Sequence, residues 1–118
     1  MKPLVHAKNS ARKHGGKWED YIELHDFMDS SKSAHASMLH RAIFHSAFGI
    51  YIVEKVYGTA ITNSEGKLVS TRDLAEDHVL EDLGFIPSLD HWLKNMTMQS
   101  WMLGGRRKQI KEKFIKID

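Results

Sequence analysis

The sequence predicts a mainly α protein: a compact bundle around a buried central helix at about 32–57, with one β-hairpin at about 59–70. Three observations lead there. The run from His40 to Gly58, HRAIFHSAFGIYIVEKVYG, is the longest apolar stretch, and at about 100° per residue its apolar side chains go most of the way round a helix. Segments on either side also repeat at helical spacing and are closed by glycine. Between the central helix and the next one, β-branched residues flank Asn63-Ser64-Glu65-Gly66, the punctuation of a hairpin. A helix apolar on nearly every side is a buried one.

Taken in order, Pro3, Leu4, Val5, Ala7 and Ala11 predict a short first helix that ends at Gly15-Gly16. His6 and Ser10 lie one turn apart on it, as do Ser10 and His14. In WEDYIELHDFMD, Trp18, Tyr21, Ile22, His25 and Met28 recur at helical spacing, which puts His25 on or beside the apolar face. Asp29 follows one turn later. The run Asp29-Ser30-Ser31-Lys32-Ser33 is rich in N-cap residues and marks the entry to the central helix between Ser31 and Ser33. Thr59–Thr62 and Lys67–Ser70 read as the two short strands of the hairpin.

Ser70 or Thr71 then caps the helix RDLAEDHVLEDLG, with Asp73 in its first turn and a stop at Gly84. Leu74, His78, Val79 and Asp82 hold its core-facing spacings. Phe85-Ile86-Pro87 is an apolar elbow, and Ser88 caps a short helix, SLDHWLKNM. Met98, Trp101, Met102 and Leu103 continue as a packing segment that Gly104-Gly105 ends. Two regions result: a helical domain with its hairpin at 1–103, and a basic tail at 104–118, weakly amphipathic through Ile110, Phe114 and Ile117.

Length and composition bound the function. At 118 residues the chain fits one domain with a real core. No run reaches the roughly 18 apolar residues of a membrane span, so no membrane partner is expected. The absence of cysteine excludes disulfides and thiolate metal sites, and a cytoplasmic setting is expected. There is no Gly-x-Ser-x-Gly elbow, P-loop or dinucleotide fingerprint. A net charge of +2 says little about partners, since much of the excess lies in the tail; a nucleic-acid contact through that tail is the lesser expectation.

Histidine is the outlier, at eight residues. His25-x-x-x-Asp29 and His78-x-x-x-Asp82 share the i,i+4 spacing that puts both groups on one helical face. That spacing suits an Asp orienting a His, or both binding one ion. With His40 from the central helix, His25, His78 and Asp82 form the expected metal set. Mixed nitrogen and oxygen donors suit a divalent transition metal (Zn, Mn, Fe or Ni) better than Ca or Mg. Asp29 is the expected base or orienting carboxylate, and Lys32 and Arg41 the cations for phosphate oxygens. On a regular helix His45 lies about 140° round from His40, so its expected role is a hydrogen bond, either behind the metal ligands or in the core. Glu54, far along the same helix, is expected to pair with Arg72. His14, His35 and His91 read as surface residues, and Trp18, Trp92 and Trp101 as core or interface anchors. The dipeptide His25-Asp26 is similar to the central pair of HD-type phosphohydrolases.

The runs EDYIELHDFMDSSK, HRAIFH, ITNSEGKLVSTR and EDHVLEDLGFIPSLDHWL, over roughly Val5 to Met102, resemble a family of small uncharacterised single-domain proteins of bacteria and phages. That resemblance implies a bacterial or phage-infected host cell and a single-domain unit, with no activity attached. Two functions from different classes remain. One is a metal-dependent hydrolase acting on a phosphoester or nucleotide, whose partner is a phosphate-containing small molecule. The other is a non-enzymatic binding or assembly module in which the same side chains form a structural polar network. Oligomerisation is open to either.

Overall fold

A computed structural model describes residues 1–106, and its hub is the helix α4, Thr71–Leu83. It packs against α1 (Pro3–His14), α2 (Ile22–Asp29), α3 (Ala47–Tyr57) and both strands, β1 (Ala60–Thr62) and β2 (Leu68–Ser70). Leu74, Ala75 and Val79 of α4 join Ala7, Tyr21, Leu24, Met28, Ile50, Val53 and Val69 in a single apolar core. A short α5, Leu89–Leu93, closes against α3. The chain is mainly helical with one antiparallel hairpin, as its sequence predicts.

Local chemistry explains most boundaries. Pro3 opens α1, where a missing N–H costs nothing. The Ser70 hydroxyl accepts from the Asp73 N–H at the start of α4, and Gly84, at φ 81°, closes it in the left-handed region. Ser88 caps α5 by accepting from His91 N–H. In the hairpin Ala60 faces Ser70, Ile61 faces Val69 and Thr62 faces Leu68. The Asn63 side-chain oxygen accepts from the backbone N–H groups of Glu65 and Lys67, which fixes the turn.

The central helix differs from its expected span. Instead of running from about 32 to 57, the chain makes 3-10 turns at Ser30–Ser33 and Met38–Ala42, and regular helix begins only at Ala47. Serines are the reason. Ser30 and Ser33 donate to the carbonyls three residues back, Ser37 accepts from Leu39 N–H and Ser46 from Gly49 N–H, local bonds that compete with a helical ladder. Gly49 also lies against the Phe44 backbone, where any Cβ would collide, so the tight entry to α3 needs glycine.

Nor is α3 buried all round. Ile50 and Val53 face the core, whereas Phe48 and Tyr51 are 51% and 48% exposed. Trp101 also lies largely in solvent, and Trp18, 37% exposed, is only partly covered. Glu54 pairs with Arg72 at 3.1 Å across α3 and α4. Among the described residues no helix is long and apolar enough to cross a membrane. The residues 107–118, most of the expected basic tail, lie outside those described.

Candidate metal centre

Three helices each send a pair of polar side chains, one turn apart, into the space between them. α1 contributes His6 and Ser10, α2 His25 and Asp29, and α4 His78 and Asp82. A seventh group, His45, comes from the irregular turn ahead of α3. Its N–H donates to Arg41 O at 2.8 Å and its carbonyl accepts from Trp92 Nε1 at 3.0 Å, so the turn is pinned from both sides. The rings of His6, His25, His45 and His78 are fully buried.

The polar groups fall into two sets that share His78. In the first, Asp29, His45, His78 and Asp82 each offer one donor atom, all within 4.8 Å of one another. His45 Nε2 lies 2.9 Å from Asp82 Oδ2 and 3.6 Å from Asp29 Oδ1. His78 Nε2 lies 3.2 Å from Asp29 Oδ1 and 3.5 Å from Asp82 Oδ2. A tetrahedral ion with bonds of about 2.1 Å places its ligands about 3.4 Å apart, so these four separations match the edges of one coordination shell. The rings of His45 and His78 are inclined at 69°, which lets both nitrogens aim at one point.

The second set, His6, His25 and His78, is built differently, although its nitrogens are equally close. His25 Nδ1 and His78 Nδ1 stand 2.8 Å apart in rings only 16° from coplanar. Nitrogens that meet head to head in one plane share a proton. The His6 ring stacks on His78 with centroids 3.7 Å apart, so its lone pairs lie in a parallel plane and aim elsewhere. This set is a hydrogen-bonded stack. Its line continues from His25 Nε2 to Ser10 Oγ at 2.8 Å.

The line also sets tautomers. If His78 keeps the Nε2 lone pair free for an ion, its Nδ1–H donates to His25 Nδ1, and His25 Nε2–H donates to Ser10 Oγ. That is the usual way in which an outer partner orients a metal-binding imidazole. Behind the carboxylate, Asp82 Oδ1 faces the Met1 ammonium at 2.9 Å, His6 Nε2 at 3.2 Å and an Arg41 guanidinium nitrogen at 3.7 Å. His6 Nδ1 bonds Glu81 Oε1 at 2.6 Å.

Electrostatics puts His45, Asp29 and Asp82 in their ligand forms at neutral pH. Burial, reinforced by the neighbouring His78, pushes His25 down to about 3 and His45 down to about 4, so both rings are neutral. Burial and His78 lower His6 as well. For Asp82 burial works the other way but is outweighed by the Met1 ammonium and His45, which hold the carboxyl at about 2. Asp29 is lowered too, its burial offset by the bond and charge of His78. Within the cluster, His45 Nδ1 has no hydrogen-bond partner among the described residues, and His6 Nε2, although 3.2 Å from Asp82 Oδ1, is not aligned to bond it.

Of the residues singled out from sequence, His25, His78, Asp82 and Asp29 come together here. His40 does not. It belongs to neither set; its Nδ1–H donates to Ser31 Oγ at 3.0 Å while that hydroxyl donates to His40 O at 2.9 Å. His45 stands in the group instead, because the chain around it is a turn, and the separation of about 140° on a regular helix does not apply there. His6 is the other addition; its signal was the His6/Ser10 pair, one turn apart on α1. Asp26 points to solvent, so the His25-Asp26 dipeptide does not act as a pair. His14 is half-buried, 3.5 Å from Asp77, whereas His35 and His91 are exposed. Lys32 and Arg41 line a cavity of about 260 Å³ together with Lys2 and His40, and Asp29 reaches from the cluster into its wall.

No curated protein and no solved structure matches the chain. The basic tail aside, residues 1–102 match the model of one family, and this chain therefore belongs to the family described as a domain of unknown function, DUF6915.

Proposed function

We propose that Asp29, His45, His78 and Asp82 hold a divalent transition metal, and that the chain is a metal-dependent hydrolase of a phosphoester or nucleotide drawn from the adjoining cavity. The observation that supports this reading is the set of nitrogen–oxygen separations, 2.9–3.6 Å among two imidazoles and two carboxylates. Such a donor set suits Zn, Mn, Fe or Ni. An ion held there supplies Lewis acidity and brings the pKa of coordinated water toward neutrality. Asp29, partly open to the cavity, orients what enters, while Lys32 and Arg41 neutralise phosphate oxygens. The test is elemental analysis of protein purified without an affinity tag, coupled to phosphoester hydrolysis before and after chelation. The expected result is about one metal per chain and an activity that chelator abolishes; protein free of transition metal, and inactive when Zn, Mn, Fe and Ni are supplied, would sink the reading.

One observation favours a second reading. The polar chain closes without an ion: Ser10 Oγ–H to His25, His25 Nδ1–H to His78, His78 Nε2–H to Asp29 and His45 Nε2–H to Asp82 each pair one donor with one acceptor. On that reading the cluster is a buried structural network of a binding or assembly module. Thermal unfolding separates the two, since only the metal reading makes wild-type stability sensitive to chelator.

A further inference from the structure

The cavity beside the cluster has a charge balance that selects among phosphate esters. Lys2, Lys32 and Arg41 line it, with Met1, whose ammonium bonds Asp82, while Asp29 is the one carboxylate among its described lining residues. This step rests on the metal reading above. A divalent ion held by Asp29 and Asp82 would be neutralised by those two carboxylates, which would leave the cations of the wall, Lys2, Lys32, Arg41 and the Met1 ammonium that otherwise pairs with Asp82, without a counter-charge among the described lining residues. A ligand that balances them brings at least two negative charges to one end of a small space. A terminal phosphate does so, because its second proton is lost near pH 6. A phosphodiester carries one charge and cannot.

Size and lining narrow the class further. At about 260 Å³ the cavity falls just below the roughly 300–1,000 Å³ of drug-sized ligand sites, so the ester it holds is small. Its remaining walls are aliphatic or thioether, from Ala36, Met38 and Met1. The single aromatic ring among the described lining residues is His40, whose Nδ1 is tied to Ser31. A nucleobase has no phenyl or indole face to stack on. Arg41 sits between the two halves of the site: it lines the cavity, and its guanidinium stands 3.7 Å from Asp82 Oδ1, beyond hydrogen-bond reach, with donors left for an incoming oxygen. We infer that the cavity is a phosphate-dianion site, and that the substrate class is a small, non-nucleotide phosphomonoester with its phosphate at Lys2, Lys32 and Arg41 and its apolar leaving group on Ala36 and Met38.

Calorimetry tests this with inorganic phosphate and dimethyl phosphate as probes, at low salt, on full-length protein both metal-loaded and chelated, with metal content measured separately in every sample. The expected result is that phosphate binds at least about tenfold tighter than dimethyl phosphate, and that Lys32→Gln and Arg41→Lys each lose about tenfold in phosphate affinity, the worth of one charge-assisted hydrogen bond. Metal content of Lys32→Gln should equal that of wild type, since Lys32 is outside the ligand set. Equal affinity for the two probes, binding of neither, or indifference to both substitutions overturns the inference even where metal is bound. A phosphate preference that survives in protein unable to hold metal supports the dianion site while overturning the metal reading. An adenosine monophosphate arm checks the leaving group: binding tighter than phosphate alone would overturn the non-nucleotide assignment.

Discussion

On its Nε2 side His78 meets Asp29, Asp82 and, across a 69° tilt, His45; on its Nδ1 side it meets His25 almost in plane, with His6 stacked above. Both regions have fully buried imidazoles, and their closest nitrogen contacts are similar, near 2.8–2.9 Å, though Asp29 on the Nε2 side is partly exposed. Proximity therefore does not separate them. Direction does: an ion needs lone pairs aimed at one point from inclined planes, whereas a shared proton needs two atoms in line within one plane. The Nε2 side also holds both carboxylates, so it carries the charge that would neutralise a cation. The Nδ1 side, capped by Ser10, meets a carboxylate only at its edge, where His6 bonds Glu81, and works on the orientation of His78.

The largest expected way to disturb both regions at once is acid. His25, at about 3, and His45, at about 4, stand well below the ordinary 6.5 of an unfolded histidine. Between those values the unfolded chain binds more protons than the folded one, so stability is complete above about pH 6.5 and is lost as pH falls. At about 1.4 kcal/mol per unit, the two rings together cost several kcal/mol by pH 4. Urea midpoints measured in chelator from pH 7 to pH 4 should fall steeply; a flat profile would show that the rings are not buried neutral.

Next comes Asp82→Asn, which removes one negative ligand from the Nε2 side while keeping shape. Metal affinity should collapse. In chelated protein the same change leaves the Met1 ammonium, Arg41 and the His6 ring facing an uncharged group, at a cost of the order of 3–5 kcal/mol if the pairing is structural. Thermal unfolding of wild type and variant, each with and without chelator, tells these apart: a chelator-sensitive wild type with a folded, chelator-insensitive variant points to the ion, and a badly destabilised variant of a chelator-indifferent wild type points to the network.

His25→Gln acts on the other region only. It removes no ligand from the Asp29/His45/His78/Asp82 set but deletes the acceptor for His78 Nδ1–H. Metal affinity should fall about 10–100-fold, the usual cost of losing an outer partner of a metal-bound histidine. Competition against a calibrated chelator measures it, and an unchanged affinity would mean that His78 is oriented by packing alone. The smallest effect is expected for Asp26→Asn, at the exposed neighbour of His25: stability should stay within about 0.5 kcal/mol and metal content should not change.

Much of the architecture is legible residue by residue. Helix stops at Gly15, Gly58 and Gly84, the caps at Ser70 and Ser88 and the Asn63–Gly66 turn all depend on local chemistry, and local chemistry is written in the sequence. The i,i+4 pairs His25/Asp29 and His78/Asp82 are legible for the same reason, since a helix of known pitch puts both members on one face. Their convergence, and the Glu54–Arg72 pair, required only that the helices pack where their apolar residues direct.

Two things were decided by tertiary structure alone. Which element is central depends on the sum of contacts: α4 takes that place although its buried face mixes Leu74, Ala75 and Val79 with Thr71 and His78, while the more apolar α3 leaves one side in solvent. Which imidazole completes the cluster depends on a break in the helix. Serine side chains at 30, 33, 37 and 46 take backbone partners that a continuous ladder would have used, and the resulting turn carries His45 inward and leaves His40 with Ser31. Each such bond is worth only about 1 kcal/mol against the alternative, and helical periodicity has no term for it. A choice that close is made by the packing around it, here Trp92 on the His45 carbonyl and Phe44 against Gly49, and those contacts exist only once the chain has folded.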